Sequence, residues 1–128
     1  MDAGKGLPAW DYLQRRARYA ALSADAASSL AGVDALVCPT VPITPPPVAD
    51  IADDEVYTRT NLLALRNTCP ASFLGLCAVT IPAGRDAAGM PVGLQLVGAP
   101  SSETRLLAIA VRLERVLARK GAWHYPGA

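Results

Sequence analysis

Apolar positions recur at steps of three and four near the start of the chain, through Trp10, Leu13, Ala17, Ala20, Ala24, Ala27 and Leu30. That spacing lays one apolar stripe along a helix over residues 8–31. Asp11 early in it suits the helix dipole, and Gly32 after its end is placed to cap it. The short apolar run 34–38 stops at Pro39 and reads as a buried strand. Prolines 39, 42, 45, 46 and 47 then lock φ and remove donors, so 39–47 is predicted to be a rigid, extended loop. A second helix is expected from an N-cap at Asp53 to about Asn67, with Val56, Thr60, Leu63 and Ala64 on one face and Pro70 closing it. Two apolar runs, 77–81 and 92–97, are each fenced by Pro and Gly. The polar loop between them, 85–89, is too short for a helical crossover, so they predict a hairpin. A last helix begins after Pro100, capped by Ser101 or Ser102, with Glu103 in its first turn. Its stripe is Leu106, Ala110, Leu113 and Leu117, widened by Leu107, Val111 and Val116, and it ends at Arg119 and Lys120 before Gly121.

These elements predict an α/β fold: helices flanking one buried strand and a hairpin, all parts of one mixed sheet, in a single partial domain over residues 1–128. The apolar content of 52% overstates the core, because much of it is alanine and Phe73 is the one phenylalanine. A net charge of +1 with 18% charged residues gives no electrostatic footprint for nucleic acid or an anionic membrane. Arg15, Arg16 and Arg18, and again Arg112, Arg115 and Arg119, fall within helical patterns and read as solvated faces. The N-terminus has no apolar signal region and no run reaches membrane-span length, so a cytoplasmic protein is expected. Cys38, Cys69 and Cys77 lack metal-ligand spacing, and His124 alone could join them, so no metal is expected and the thiols read as buried and reduced. No dinucleotide or phosphate loop is present, and no cofactor is expected.

Residues 67–98 carry a further pattern. Thr68, Pro70, Gly75, Leu76, Ala78, Thr80, Pro82 and Gly84, followed by Gly89, Met90, Pro91, Val92, Gly93, Leu94 and Gln95, resemble the C-terminal part of the amidase signature family. The chain departs from it at Ser72, where Asn is usual, and at Cys77, where Pro is common. The likeness extends over about residues 10–117, through Tyr12-Leu13, Arg18, Asp34, Pro39-Thr40 and Pro42, and later through Glu103 and Leu106-Leu107. It implies hydrolysis of a small carboxamide to carboxylate and ammonia. In that family a serine attacks the carbonyl, a second serine on a cis peptide relays the proton, and a neutral lysine is the base. A lysine must be desolvated to serve so.

None of that machinery is expected within this chain. Lys5 lies near the N-terminus and Lys120 at a helix end. Ser28-Ser29 sits inside an alanine-rich helix and Ser101-Ser102 at a helix start, without the flanking glycines of a nucleophile loop. No catalytic residue is assigned. The resemblance implies instead that 39–47 and 66–75 help wall the acyl pocket, with Arg66, Asn67 and Thr68 as candidates for contacting the substrate's acyl portion. The alternative is that Asn67 and Thr68 cap the helix end. Residues 1–8 run without pattern into family-like sequence at Trp10, as expected of a start inside a longer gene or a gene that lost its front half. Two other readings stand beside the hydrolase. One is a non-catalytic module that pairs with itself or a partner subunit through an open sheet edge. The other is part of an amidotransferase A subunit.

Overall fold

The computed structural model describes residues 6–119 and 121. Lys5, Lys120 and His124 lie outside them. Helix α1 (Ala9–Ser29) leads to the short strand β1 (Leu36–Pro39). A 3₁₀ turn, Val48–Ile51, follows the proline-rich loop and packs beside α2 (Asp54–Ala64). The short helix α3 (Cys69–Phe73), the hairpin strands β2 (Cys77–Arg85) and β3 (Pro91–Gly98), and α4 (Glu103–Arg119) complete the order.

The strands this chain contributes pair antiparallel in the order β1-β3-β2. Alternation along β3 divides its side chains between two faces. Leu94 and Leu96 join Ile81, Val79 and Cys77 against Leu106, Ala110, Leu113 and Leu117 of α4, and this is the core. Gln95 and Val97 face the other way, Gln95 reaching Asn67 O in the turn before α3 and Val97 lining a cavity with Pro70 and Ala71, while the same face at Gly93 meets Thr40 and Thr80.

The hairpin follows the fences seen in the sequence, but β2 runs on through Pro82 to Arg85 instead of ending at 81. A register shift between Pro82 and Gly84 absorbs the missing donor, which an outer strand tolerates. Asp86 then closes the turn, its Oδ1 accepting from Ala88 N at 2.9 Å and Met90 N at 2.8 Å.

Asp53 caps α2 as expected, accepting from Glu55 N and Val56 N. The helix stops at Ala64, however, and Pro70 opens α3 instead of closing α2, since a first helical turn has no need of its N–H. At α4, Ser102 fills the cap position but its hydroxyl donates to Ala99 O at 2.6 Å. Ser101 takes a left-handed conformation at φ 61°. Gly121 is left-handed beyond the last turn, its N–H bonded to Ala118 O. Gly32 is not left-handed, so α1 ends at Leu30 without the expected glycine cap.

Two burial expectations fail together. Strand β1 is not buried: Leu36 and Val37 are 50% and 52% exposed, because β1 is an outer strand covered by no described helix on its far side. The stripe on α1 is not buried either, apart from the half-covered Ala27 and Leu30. Cys69 is likewise exposed, while Cys38 and Cys77 are half-buried.

Candidate functional site

The three polar residues proposed to meet substrate sit on the face of the sheet opposite α4. Asn67 anchors them. Its Nδ2 donates to Pro39 O at 2.8 Å, and its own carbonyl accepts from Gln95 Nε2 at 3.2 Å. Gln95 is 2% exposed, so this amide is held in a dry setting where a lost partner would be expensive. One residue therefore fastens the turn between α2 and α3 to β1 and β3 at once. That exceeds the local capping the sequence allowed for Asn67. Thr68 stays local: it holds the N-cap position of α3 without a side-chain capping bond, and its hydroxyl donates back to Leu65 O at 3.3 Å.

The structure separates the candidates between two neighbouring cavities. Arg66 and Asn67 line a mainly apolar space of about 360 Å³ beneath the end of α1, walled by Leu30, Leu36, Cys38 and Val97. Thr68 lines another of about 330 Å³ with Ser72, Thr80 and Gln95. Arg66 is solvent-exposed at the rim of the first. A third, more apolar cavity of about 370 Å³ holds none of the three. It lies between the proline-rich loop, α2 and the start of β3, lined by Val41, Ile43, Pro45, Tyr57 and Val92 among others. Expecting 39–47 to wall a pocket pointed to this loop, but nothing in the periodicity of α2 set Tyr57 apart as facing it.

Next to these cavities the backbone approaches closely. Thr40 Oγ1 donates to Thr80 Oγ1 at 3.1 Å across β3, and Gly93 lies between the two. A Cβ at Gly93 would stand 2.7 Å from Thr40 Oγ1 and 2.9 Å from Thr80 Cγ2. Only glycine lets the threonine pair close over the strand.

Neither serine pair is poised for attack. Ser29 Oγ donates to Asp25 O at 2.9 Å within α1, Ser28 is exposed beside it, and Ser102 is tied to Ala99 as described. Among the described residues no group of three or more His, Cys, Asp or Glu could hold a metal ion. None of their helices is long and apolar enough to cross a membrane.

Comparison with known proteins gives this arrangement its context. The family profile described as Amidase matches residues 3–107. The chain belongs to the amidase family. Among relatives of this amidase domain, 2-amino-5-chloromuconic acid deaminase of Comamonas testosteroni is 46% identical over 107 residues, covering 84% of this chain and 23% of that protein. The glutamyl-tRNA(Gln) amidotransferase A subunit of Halobacterium salinarum is 38% identical over 104 residues, 81% of this chain and 24% of its own length. A crystal structure of an amidase superposes with a TM-score of 0.68 at 32% identity, covering 89% of this chain and 26% of that one. The chain thus spans about a quarter of the length of the proteins it matches. Its motifs are those of the family's C-terminal part.

Proposed function

We propose that this chain forms one wall of the active site of an enzyme that hydrolyses a small carboxamide to carboxylate and ammonia. Arg66, Asn67 and Thr68 border the acyl portion of the substrate, and the nucleophile and base come from polypeptide outside this chain. A serine there adds to the carbonyl, ammonia leaves on taking up a proton, and water frees the carboxylate. The observation that carries the assignment of roles is the state of the serines. Ser29 and Ser102 donate to main-chain carbonyls within or just before their own helices, while the chain matches an amide-cleaving family over most of its length. The Asn67 tie to Pro39 and Gln95 supports the positional part, since it fixes the backbone that presents Arg66 and Thr68. A cytoplasmic setting accords with three free thiols.

The test is ammonia release from a panel of small carboxamides by the purified chain, alongside sequencing of the reading frame upstream of Met1. No ammonia, and a frame encoding a Gly/Ser-rich loop and an upstream lysine, is the expected result. Ammonia release that disappears with Ser28→Ala or Ser102→Ala would overturn it.

A second reading rests on the outer strand. Leu36 and Val37 are half-exposed on a strand with one unpaired edge, a site where another polypeptide could add a strand. On that reading the chain pairs with a partner subunit or with a second copy, and catalyses nothing.

A further inference from the structure

The proline-rich loop and α2 enclose a cavity to which the functional reading assigns no occupant. Its volume of about 370 Å³ falls within the range of small-molecule sites, roughly 300–1,000 Å³. An apolar cavity of about 150 Å³ already holds benzene, so an aromatic ring with a short substituent fits here. Its walls are stiff. Pro45, Pro46 and Pro91 border it, and each fixes its own φ, so little backbone freedom is left for a ligand to freeze out.

The lining chemistry selects among ligands. Val41, Ile43 and Val92 offer apolar contact and Tyr57 an aromatic ring, while Thr60 and Asn61 add neutral hydrogen-bonding groups. Among the described lining residues there is no lysine, arginine or histidine, and Asp86 is the one carboxylate. Its Oδ1 accepts from Ala88 N and Met90 N, which fixes the carboxylate beside the cavity. A ligand with its own carboxylate would meet like charge there and lose water without gaining a cation. Arg66, the cation that could hold such a group, lies at the rim of the neighbouring cavity. A polypeptide strand is a poor occupant too, because Pro42, Pro45, Pro46 and Pro47 have no N–H to pair with it.

We propose that this cavity receives the apolar body of the acyl group, so that the carboxamide cleaved is that of an uncharged aromatic acid. The inference rests on the functional reading above and names its substrate class. Ala64 joins the two sites: it lines the cavity and ends α2, directly before the turn that carries Arg66, Asn67 and Thr68. Asn67 Nδ2 also holds Pro39 O, where the proline-rich loop begins. An acyl group seated against that loop thus shares its wall with the residues proposed to border it. Glutamine, whose carboxylate finds no cation in the lining, is a poor fit, which argues against the amidotransferase alternative.

The test titrates the purified 128-residue chain with benzamide, benzoate and glutamine, followed by NMR of its methyl and amide groups. Benzamide is expected to bind saturably with its shifts gathered at Val41, Ile43 and Val92, and benzoate and glutamine at least about tenfold more weakly. Ala64→Phe, which fills the cavity, should abolish benzamide binding. Asp86→Asn keeps an accepting oxygen for the turn and removes the charge, so it should narrow the gap between benzamide and benzoate by about two- to fivefold. No saturable benzamide binding, equal binding of benzoate, or shifts centred on Arg66, Asn67 and Thr68 alone would overturn the proposal. Should Ala64→Phe unfold the chain, Asp86→Asn decides, and an unchanged gap overturns it. Ammonia release is scored separately, with the chain joined to the polypeptide encoded upstream of Met1. Cleavage of glutamine or acetamide but not benzamide would overturn the substrate class and leave the hydrolase reading standing. Benzamide bound in the cavity with no carboxamide cleaved would sink the hydrolase reading and leave the ligand class standing.

Discussion

Gly93 shows how much one missing methyl group decides. It sits where Thr40 and Thr80 meet across β3, and a side chain there would have to displace two β-branched residues held by the sheet. Gly93→Ala is therefore expected to destabilise the chain by about 1–3 kcal/mol, read as a shift of the urea midpoint at constant slope. Adding Thr40→Ala should recover part of that loss, since the two sites share the contact. At this scale the sequence told part of the story. Asn67 and Thr68 were legible as polar residues at a helix end, and Thr68 does bond locally, back to Leu65 O. The reach of Asn67 to Pro39, and of Gln95 to Asn67, was not legible, because each spans 28 residues and no periodicity records a contact across elements.

Elements were easier to read where punctuation is strong. Asp53 followed by Asp54 and Glu55 marks a helix start, and the structure uses it as such. Asp53→Ala, which removes two accepted N–H bonds, should lower stability by about 1 kcal/mol in chemical denaturation, with Asp53→Asn nearly neutral. The hairpin was legible from the Pro and Gly fences around 77–81 and 92–97. The short helix α3 was missed because Pro70 carries two meanings: it stops a helix that arrives from before it and starts one that follows. The last helix shows the same ambiguity in its apolar width. Leu106 and Ala110 are buried against the sheet, whereas Leu107, Val111 and Val116 are about half-exposed, and periodicity alone did not say where the covered stripe ends.

For the whole molecule, the mismatch between apolar pattern and burial is itself informative. The stripe on α1 and the run at β1 were read as buried because apolar residues at regular spacing usually are. Among the described residues Trp10, Leu13, Ala17, Ala20 and Ala24 of that stripe, and Leu36 and Val37 of β1, stay exposed, while Ala27, Leu30, Ala35 and Cys38 are half-buried. A measurable consequence is a low denaturant dependence. With 9356 Å² still exposed when folded, unfolding uncovers about three quarters of the surface that a compact domain of equal mass would. The urea m-value should be reduced in that proportion. An m-value typical of a compact 128-residue domain would mean that the exposed faces are covered in solution, and self-association would then be the first thing to measure. The prolines limit what form such association takes. Strand β1 meets Pro39 after three residues, and β2 meets Pro82 and the register shift after five. At about 3.4 Å per residue, neither edge presents more than about 17 Å of uninterrupted backbone. That is too little to template the long, repeating stacks of a fibril, so crowding this chain should give amorphous clumps that leave thioflavin dark.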